Sequence, residues 1–154
     1  MFKIIVKSDR ATTYLKTLSG KLSSHKEFFV REVRPLLIEE ITTVFDEEGN
    51  PAWPPLNPDY EARKFVQYPG KTILRRTDRL FTSYTRVAAE GNLSEISDFA
   101  LQHGTNIPYA AYHEFGTTRV PHRPILGAIA EDSTFSDKLK RALEQWLTEQ
   151  ISTS

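Results

Sequence analysis

The sequence contains no cysteine and only one methionine. Without cysteine the chain can form no disulfide, offers no thiolate nucleophile and has no sulfur ligand for zinc or an iron–sulfur cluster. We therefore expect synthesis in a reducing, cytoplasmic compartment. At 154 residues the chain fits one domain, residues 1–154, because a chain of this size buries roughly two thirds of the surface that its unfolded form exposes.

Net charge and long apolar runs are also missing. Twenty Lys and Arg residues balance twenty Asp and Glu residues, so no global attraction to nucleic acid or to an anionic membrane is expected. No apolar run approaches the roughly 18 residues of a membrane span, and the run at the amino terminus is too short for a signal peptide. We expect a protein without a membrane partner.

The charge is nevertheless unevenly distributed along the chain. Residues 46–60 carry acidic side chains and no basic one, whereas residues 61–90 are rich in Lys and Arg. Adjacent acidic and basic surfaces suit head-to-tail contacts between identical subunits. The alternative is a loop that its charges simply keep in solvent.

Apolar periodicity in the first third of the chain predicts a strand and a long helix. Phe2, Ile4 and Val6 alternate with other residues, which indicates a short strand. Apolar residues at spacings of three, four and seven then predict a long N-terminal amphipathic helix over residues 11–45. Pro35 is expected to kink or break this helix just before its own position.

The second half of the chain predicts shorter elements. Thr77 or Asp78 can cap a short helix. Residues 86–90 and 94–102 are typical of two strands, turned by Gly91 and Asn92, that would supply a small antiparallel sheet.

The end of the chain predicts two more helices. Residues 107–115 indicate a short helix or turn that ends at Gly116. A C-terminal helix carries an apolar stripe, formed by Phe135, Leu139, Leu143, Trp146, Leu147 and Ile151. The predicted fold class is therefore α+β.

The segment from residue 48 to residue 70 combines prolines with aromatic residues. The proline density argues against regular helix, and the aromatic side chains give an extended path something to bury. We therefore predict an ordered loop or arm at about residues 46–76. A disordered loop whose aromatic residues patch the domain remains the alternative.

Three residues come closest to a metal site: His113, Glu114 and His122. They lack the helical i, i+4 histidine pair of a zinc protease, and one carboxylate leaves such a site incomplete. A His113 that forms hydrogen bonds within a packed turn is the simpler interpretation. A metal-dependent hydrolase or nuclease is kept as an alternative function, but we assign no catalytic residue, no metal and no cofactor.

The basic stretch that starts at Lys71 could contact phosphates, since arginine forms bidentate contacts and Phe81 could stack on a base. A nucleic-acid-binding module centred on Arg75 to Arg86 is therefore a second alternative. With no excess of positive charge, nucleic acid is not the expected partner, and an arginine-mediated protein interface is favoured. No Gly-x-Ser-x-Gly element and no glycine-rich phosphate loop is present.

Four sequence elements resemble the phage virion morphogenesis family, which includes the tail-completion proteins of Mu-like and related long-tailed phages. YAAYHEFG at residues 109–116 and VPHRPILG at residues 120–127 resemble the family's most recognisable signature. FDEEGNPAWPPL at residues 45–56 and ILRRTDRL at residues 73–80 resemble two elements that precede it. Asp78 stands where the family usually has glycine, and His122 stands where a small residue is common.

The resemblance implies a small α+β subunit that completes the tail and helps it to join the head, acting by binding and not by catalysis. It also implies a homo-oligomeric ring, six copies by analogy, with tail-tube and head-neck proteins as partners. The protein would be located in the virion, at the tail or neck, and in the host cytoplasm during assembly. The motif residues, which serve the fold or an interface, are Trp53, Leu56, Leu74, Thr77, Leu80, Tyr109, Ala110, His113, Gly116, Pro121, Arg123, Pro124 and Gly127.

Within the motif, Pro121 and Pro124 fix the backbone on either side of Arg123, whose guanidinium can then present a rigid fork to a carboxylate or to carbonyls. We favour a role in the fold for Tyr109, His113 and Gly116. The candidate assembly interface consists of Trp53, Tyr60, Tyr68, Arg75, Arg76 and Arg79.

Overall fold

The computed structural model describes residues 1–7 and 25–152. The chain opens with strand β1 (Phe2–Lys7), as the alternating pattern predicted. Phe2 and Ile4 are half-buried against the apolar core, whereas Ile5 is exposed. The strand therefore has one face on the core, which is the arrangement that the period of two indicates.

The prediction of a long N-terminal helix is wrong. Its first part lies within residues 8–24, outside the described residues. From His25 onward the chain forms α1 (Lys26–Phe28), a π-helical turn (Phe29–Val33) and α2 (Arg34–Asp46). The longest α-helix of the described residues is at the other end of the chain, α7 (Ser133–Ser152), with 20 residues.

Pro35 accounts for the π-helical turn. Its nitrogen carries no hydrogen, so the Arg31 carbonyl cannot accept the α-helical hydrogen bond from position 35. The chain widens instead, and the Arg34 N–H donates to Phe29 O, five residues back. The break that was predicted just before Pro35 is thus present as a π-helical turn, and α2 starts with this proline in its first turn.

The proline-aromatic segment contains a helix, contrary to the prediction. α3 (Pro58–Gln67) begins where the Asn57 side chain accepts hydrogen bonds from the backbone N–H groups of Asp59 (3.0 Å) and Tyr60 (3.3 Å). Pro58 occupies the first helical position, where its fixed φ suits a helix and a missing N–H costs nothing. The other prolines of the segment flank the helix and do not interrupt it.

The predicted small antiparallel sheet is present, with three strands in the order β1-β3-β2. β2 (Asn92–Ile96) and β3 (Ala100–Thr105) form a hairpin, and β1 pairs with the other edge of β3. Its predicted position in the sequence is wrong, however, because residues 86–90 form turns and not a strand.

Gly91 and Asn92 connect a helix to a strand and do not turn the hairpin. Gly91 has a φ of 81°, and the Asn92 side-chain amide donates to Ser83 O (2.8 Å). This bond ties the start of β2 to the preceding helix. Residues that suit a hairpin turn also suit this connection, which is why the local signal misplaced the strands.

Three short helices complete the described chain: α4 (Arg79–Thr85), α5 (Ala110–Phe115) and α6 (Leu126–Glu131). The first two confirm the short helices predicted after Asp78 and before Gly116. α4 lies on β2 and β3 and packs against α2, whereas α6 lies between α2 and β1.

α7 confirms the predicted C-terminal helix and most of its apolar stripe, but Ile151, which was predicted to belong to the stripe, is 63% exposed. Phe135 and Trp146 are buried, and the Trp146 ring lies 5.4 Å from the ring of Phe28. The helix therefore closes the core over the π-helical turn. None of the helices in residues 1–7 and 25–152 has the length and apolar character that crossing a membrane requires.

An aromatic cluster attaches the proline-aromatic segment to the core. The ring of Phe45, at the end of α2, contacts the rings of Trp53 (5.8 Å), Phe81 (5.2 Å) and Tyr84 (6.4 Å). Such aromatic contacts stabilise beyond the area that they bury. The position of the Trp53 side chain is thereby fixed, and Trp53 belongs to the candidate site.

Candidate functional site

Two motif segments, residues 53–55 and residues 122–124, are joined by side-chain hydrogen bonds from each segment to the other. Arg123 Nε donates to Pro54 O (3.0 Å), and the same guanidinium donates to Pro55 O (3.0 Å). In the opposite direction, Trp53 Nε1 donates to Pro124 O (3.0 Å). We call this arrangement the crossing. The Arg123 fork takes carbonyls, one of the two kinds of partner that its sequence context indicated.

Both side chains of the crossing are buried, at about 5% exposure each. Burial lowers the pKa of the Arg123 guanidinium below its ordinary value, because a charged group loses solvation there. Proline carbonyls still accept, although proline nitrogens donate nothing. The proline-rich segment therefore offers carbonyl acceptors to the arginine while it has few backbone N–H groups that need a partner of their own.

The Glu114 side chain binds the backbone at the start of α6. Its carboxylate accepts hydrogen bonds from the backbone N–H groups of Ile125 (2.9 Å), Leu126 (3.2 Å) and Gly127 (2.5 Å). These are unpaired donors of a helix N-terminus, where negative charge is favoured. Burial raises the pKa of Glu114, and the three N–H donors oppose this rise.

Two motif glycines are required by this packing. A Cβ at Gly127 would lie 2.8 Å from Glu114 Oε1, so no side chain fits between the carboxylate and the helix. Gly116 ends α5 with a φ of 70°, a conformation that L residues rarely adopt. Its Cβ would also lie 3.2 Å from the backbone of His122.

His113 contacts the fold through its ring and its backbone. The ring packs edge-on against Tyr109, with centroids 6.2 Å apart, and the His113 carbonyl accepts from the Arg123 N–H (2.7 Å). Burial, and next to it the charge of Arg123, lowers the pKa of His113. Its Nδ1 is buried without a hydrogen-bond partner in the described chain.

The alternative metal site is not assembled by this geometry. The Glu114 carboxylate faces the backbone of α6, and His122 is exposed. Within residues 1–7 and 25–152, no three His, Asp or Glu side chains lie close enough together to hold a metal ion.

Motif residues from separate segments converge on one cleft of about 680 Å³. One wall is α3 and residues 55–57, another is the turn before α4, and the third consists of residues 109–113 and 119–123. The motif side chains that line it are Leu56, Leu74, Thr77, Leu80, Tyr109, His113, Pro121 and Arg123. We call it the basic cleft, because its lining also includes Lys64, Arg76 and Arg119, and no carboxylate of the described residues lines it.

Three further predicted residues differ in exposure. Ala110 is buried, whereas Tyr60 is 37% exposed and Tyr68 is half-buried. Of the candidate interface residues, Trp53 is therefore part of the core, and Tyr60 is the aromatic residue that the surface offers.

The three candidate interface arginines have different surroundings. Arg75 Nε pairs with Asp78 (2.8 Å), and its guanidinium lies 3.9 Å from the centre of the Phe81 ring. Arg79 pairs with Glu90 (2.6 Å). Arg76 is exposed and lies above the Tyr68 ring at 5.6 Å, without a carboxylate partner in the described chain.

Sequence reasoning missed that α3 buries a lysine and exposes two large apolar side chains. Lys64 is 5% exposed, whereas its neighbours Phe65 and Val66 are 71% and 79% exposed. The Lys64 ammonium donates to Thr72 O, and its burial lowers the pKa of this lysine. A helical reading of residues 58–67 would have placed Lys64 on the same face as Tyr60, but the prolines had argued against any helix there.

Comparison with protein families matches residues 6–147 to the phage virion morphogenesis family. The chain belongs to this family. Neither the curated proteins nor the solved structures gave a significant match. Membership of the phage virion morphogenesis family indicates a structural or assembly role in a phage, and it implies association with the virion.

Asp78, where the resemblance led us to expect glycine, has a backbone conformation that suits glycine. Asp78 has a φ of 59° at the start of α4, a left-handed conformation that glycine adopts without strain. Its side chain does not cap the helix, although the sequence suggested that it could. The carboxylate instead binds Lys71 and Arg75, and these bonds, opposing the loss of solvation on burial, lower the pKa of Asp78.

Proposed function

We propose that this chain completes a phage or prophage tail and supports head–tail joining, as a non-enzymatic subunit of a homo-oligomeric ring. The proposed partners are further copies of the chain, the tail tube and the head-neck proteins. The observation that carries the proposal is the family match over residues 6–147, together with the convergence of the motif segments on one cleft.

Two features support action by binding. Two of the polar motif groups that could have served chemistry, Glu114 and Arg123, are occupied by backbone partners. The exposed surface, in contrast, carries large apolar side chains such as Phe65 and Tyr112 (55% exposed). Rigid internal bonds and an apolar exterior are what an assembly subunit needs to fit other proteins.

Deletion of this gene from the phage that carries it tests the proposal. We expect separate heads and tails in electron micrographs and a loss of infectious particles, both reversed by supplying the gene in trans. Undiminished yields of infectious particles after deletion would refute the assembly role. Complete tails joined to heads in non-infectious particles would refute the assignment to tail completion.

A further inference from the structure

Two clefts with lining charges of opposite sign meet at the crossing. Pro55 and Arg123 line the basic cleft. Trp53, Pro54 and Pro124 line a second cleft of about 560 Å³. Because the same two segments contribute to both, the rigid crossing holds the two clefts in a fixed relation.

The second cleft is acidic. Glu40, Glu47, Glu131 and Asp132 line it, and no Lys or Arg of the described chain does. Glu40 pairs with Lys138 outside the lining, and Asp132 accepts from the Thr134 N–H (2.8 Å). We call it the acidic cleft.

Each cleft keeps exposed charges that the fold does not use. Arg76 and Arg119 in the basic cleft are exposed, as are Glu47 and Glu131 in the acidic cleft. In the part of the chain that the structure describes, none of these four side chains forms an ion pair. Lys64 and Arg123 add further positive charge beside Arg76.

Apolar surface accompanies the charges on both sides. α3 forms one wall of the basic cleft and carries the exposed Phe65 and Val66, although its Lys64 points inward. α3 makes no extensive contact with another helix or strand of the described chain. The acidic cleft has Pro51, Ala52 and Ala128 in its lining. The charged residues Asp59, Glu61 and Arg63 of α3 are exposed as well. Two adjacent large apolar side chains exposed among them indicate a surface that another protein covers.

We propose that the occupant is a second copy of this chain, and that copies associate head to tail, with the basic cleft and α3 of one copy against the acidic cleft of the next. Two copies cannot pair through the same cleft, because like charges would face each other. Pairing of unlike clefts is heterologous, and heterologous contacts close into rings when the rotation permits. This inference rests on the proposed homo-oligomeric ring and names the surfaces that form it.

Charge reversal of each cleft in the full chain tests the inference. One variant combines Arg76→Glu with Arg119→Glu, and the other combines Glu47→Lys with Glu131→Lys. Sedimentation velocity over a range of concentrations at low salt measures association. We expect wild-type chain to associate and each variant alone to show a dissociation constant raised about tenfold or more.

Mixing the two variants provides the decisive measurement. In the mixture each reversed cleft meets a reversed partner cleft, so the complementarity of charge returns. We expect the equimolar mixture to associate much as the wild-type chain does. A control matched to the arginine variant, Arg86→Glu with Arg141→Glu, makes the same change in net charge at exposed positions outside both clefts, and it should associate like wild type.

Three results would overturn the inference: a wild-type chain that stays monomeric at every concentration, a single-cleft variant that associates normally, or a mixture that remains dissociated. Circular dichroism establishes that each variant folds, and the single reversals Arg119→Glu and Glu47→Lys replace a double variant that does not. Sedimentation uses purified protein without phage. If the purified chain is monomeric but its gene restores infectivity, this inference alone is refuted. If the purified chain associates but deletion of its gene leaves infectivity intact, the proposed function alone is refuted.

Discussion

Arg123 and Glu114 show how single side chains hold the motif together. Both are charged and buried, and both bind backbone groups that would otherwise have no partner. Arg123 serves proline carbonyls, and Glu114 serves the free N–H groups at the start of a helix. In each case a charge-assisted hydrogen bond compensates the loss of solvation.

Replacement of Arg123 should destabilise the fold and not only its surface. Arg123→Ala removes three charge-assisted hydrogen bonds to the carbonyls of Pro54 and Pro55 and empties a buried site, so we expect the free energy of unfolding to fall by about 2–3 kcal/mol. Arg123→Lys should recover only part of this, because an ammonium cannot bind two carbonyls as a planar fork does. Urea denaturation measures both. The control is Arg119→Ala at an exposed neighbour, and equal stability of the two alanine variants would contradict the role of the crossing.

His103 should make stability depend on pH. It is fully buried, with Nε2 bonded to Tyr84 O (2.7 Å) and Nδ1 bonded to Ser94 Oγ (3.2 Å). Burial lowers the pKa of His103 below its ordinary value of 6.5. Between the lowered pKa and 6.5 the unfolded chain binds more protons than the folded chain, so the free energy of unfolding rises with pH.

We therefore expect stability to be lost as the pH falls below 6.5, with His103 contributing a slope of up to about 1.4 kcal/mol per pH unit. His103→Gln should reduce this slope, and thermal unfolding between pH 5 and pH 8 measures it. Burial also lowers the pKa of His25 and His113, so part of the slope should persist in the variant. An unchanged slope would contradict the assignment to His103.

At the scale of elements, α3 depends on its cap more than on its packing. Asn57 accepts from two backbone N–H groups, and the helix makes no extensive contact with another helix or strand of the described chain. Helices with few buried apolar contacts open locally at low cost.

Asn57→Ala should therefore loosen α3 without unfolding the protein. The loss of an N-cap costs about 0.5–2 kcal/mol, so amide exchange within α3 should accelerate about 2-fold to 30-fold. Hydrogen exchange followed by mass spectrometry resolves this segment from the sheet. Gln67→Ala, at the last residue of α3, serves as the control. Equal acceleration in β3 would show that α3 is not an independent unit.

Apolar periodicity predicted α7 and β1 correctly, whereas the long N-terminal helix that it also predicted is wrong. α7 follows its apolar stripe, and β1 follows its alternation, because one face of each meets one core surface. Prediction also failed where a single glycine, asparagine or proline was used to place a turn or to exclude a helix. The Gly91 and Asn92 pair was assigned to a hairpin, and Pro58 was taken to exclude a helix that it in fact starts.

At the scale of the molecule, Trp53 belongs to the core of the fold, whereas Phe65 belongs to the proposed interface. Trp53 is buried in the aromatic cluster, whereas Phe65 is 71% exposed, and both belong to the proline-aromatic segment. The sequence counted both among the aromatic residues of this segment, but it assigned only Trp53 to the motif and to the candidate interface.

Alanine at these two positions should have opposite consequences. Trp53→Ala should cost about 3–5 kcal/mol of stability, because it leaves a cavity in the core and a free Pro124 carbonyl. Phe65→Ala should change stability by less than about 0.5 kcal/mol, yet weaken association of the purified chain. Denaturation and sedimentation of both variants measure this. A stable Trp53→Ala variant, or a Phe65→Ala variant that associates like wild type, would contradict this division.

The sequence by itself determined the family, the α+β class and the residues of the motif, because these follow from residue types in a fixed order. The tertiary structure decided which motif side chains face the interior and which line a cleft. Arg123 met carbonyls from residues 54 and 55, and Glu114 met the start of α6, through contacts between segments that are distant along the chain or separated by a turn. Spacing along a sequence carries little information about such contacts, since burial and charge pairing are set by the packing of the whole chain.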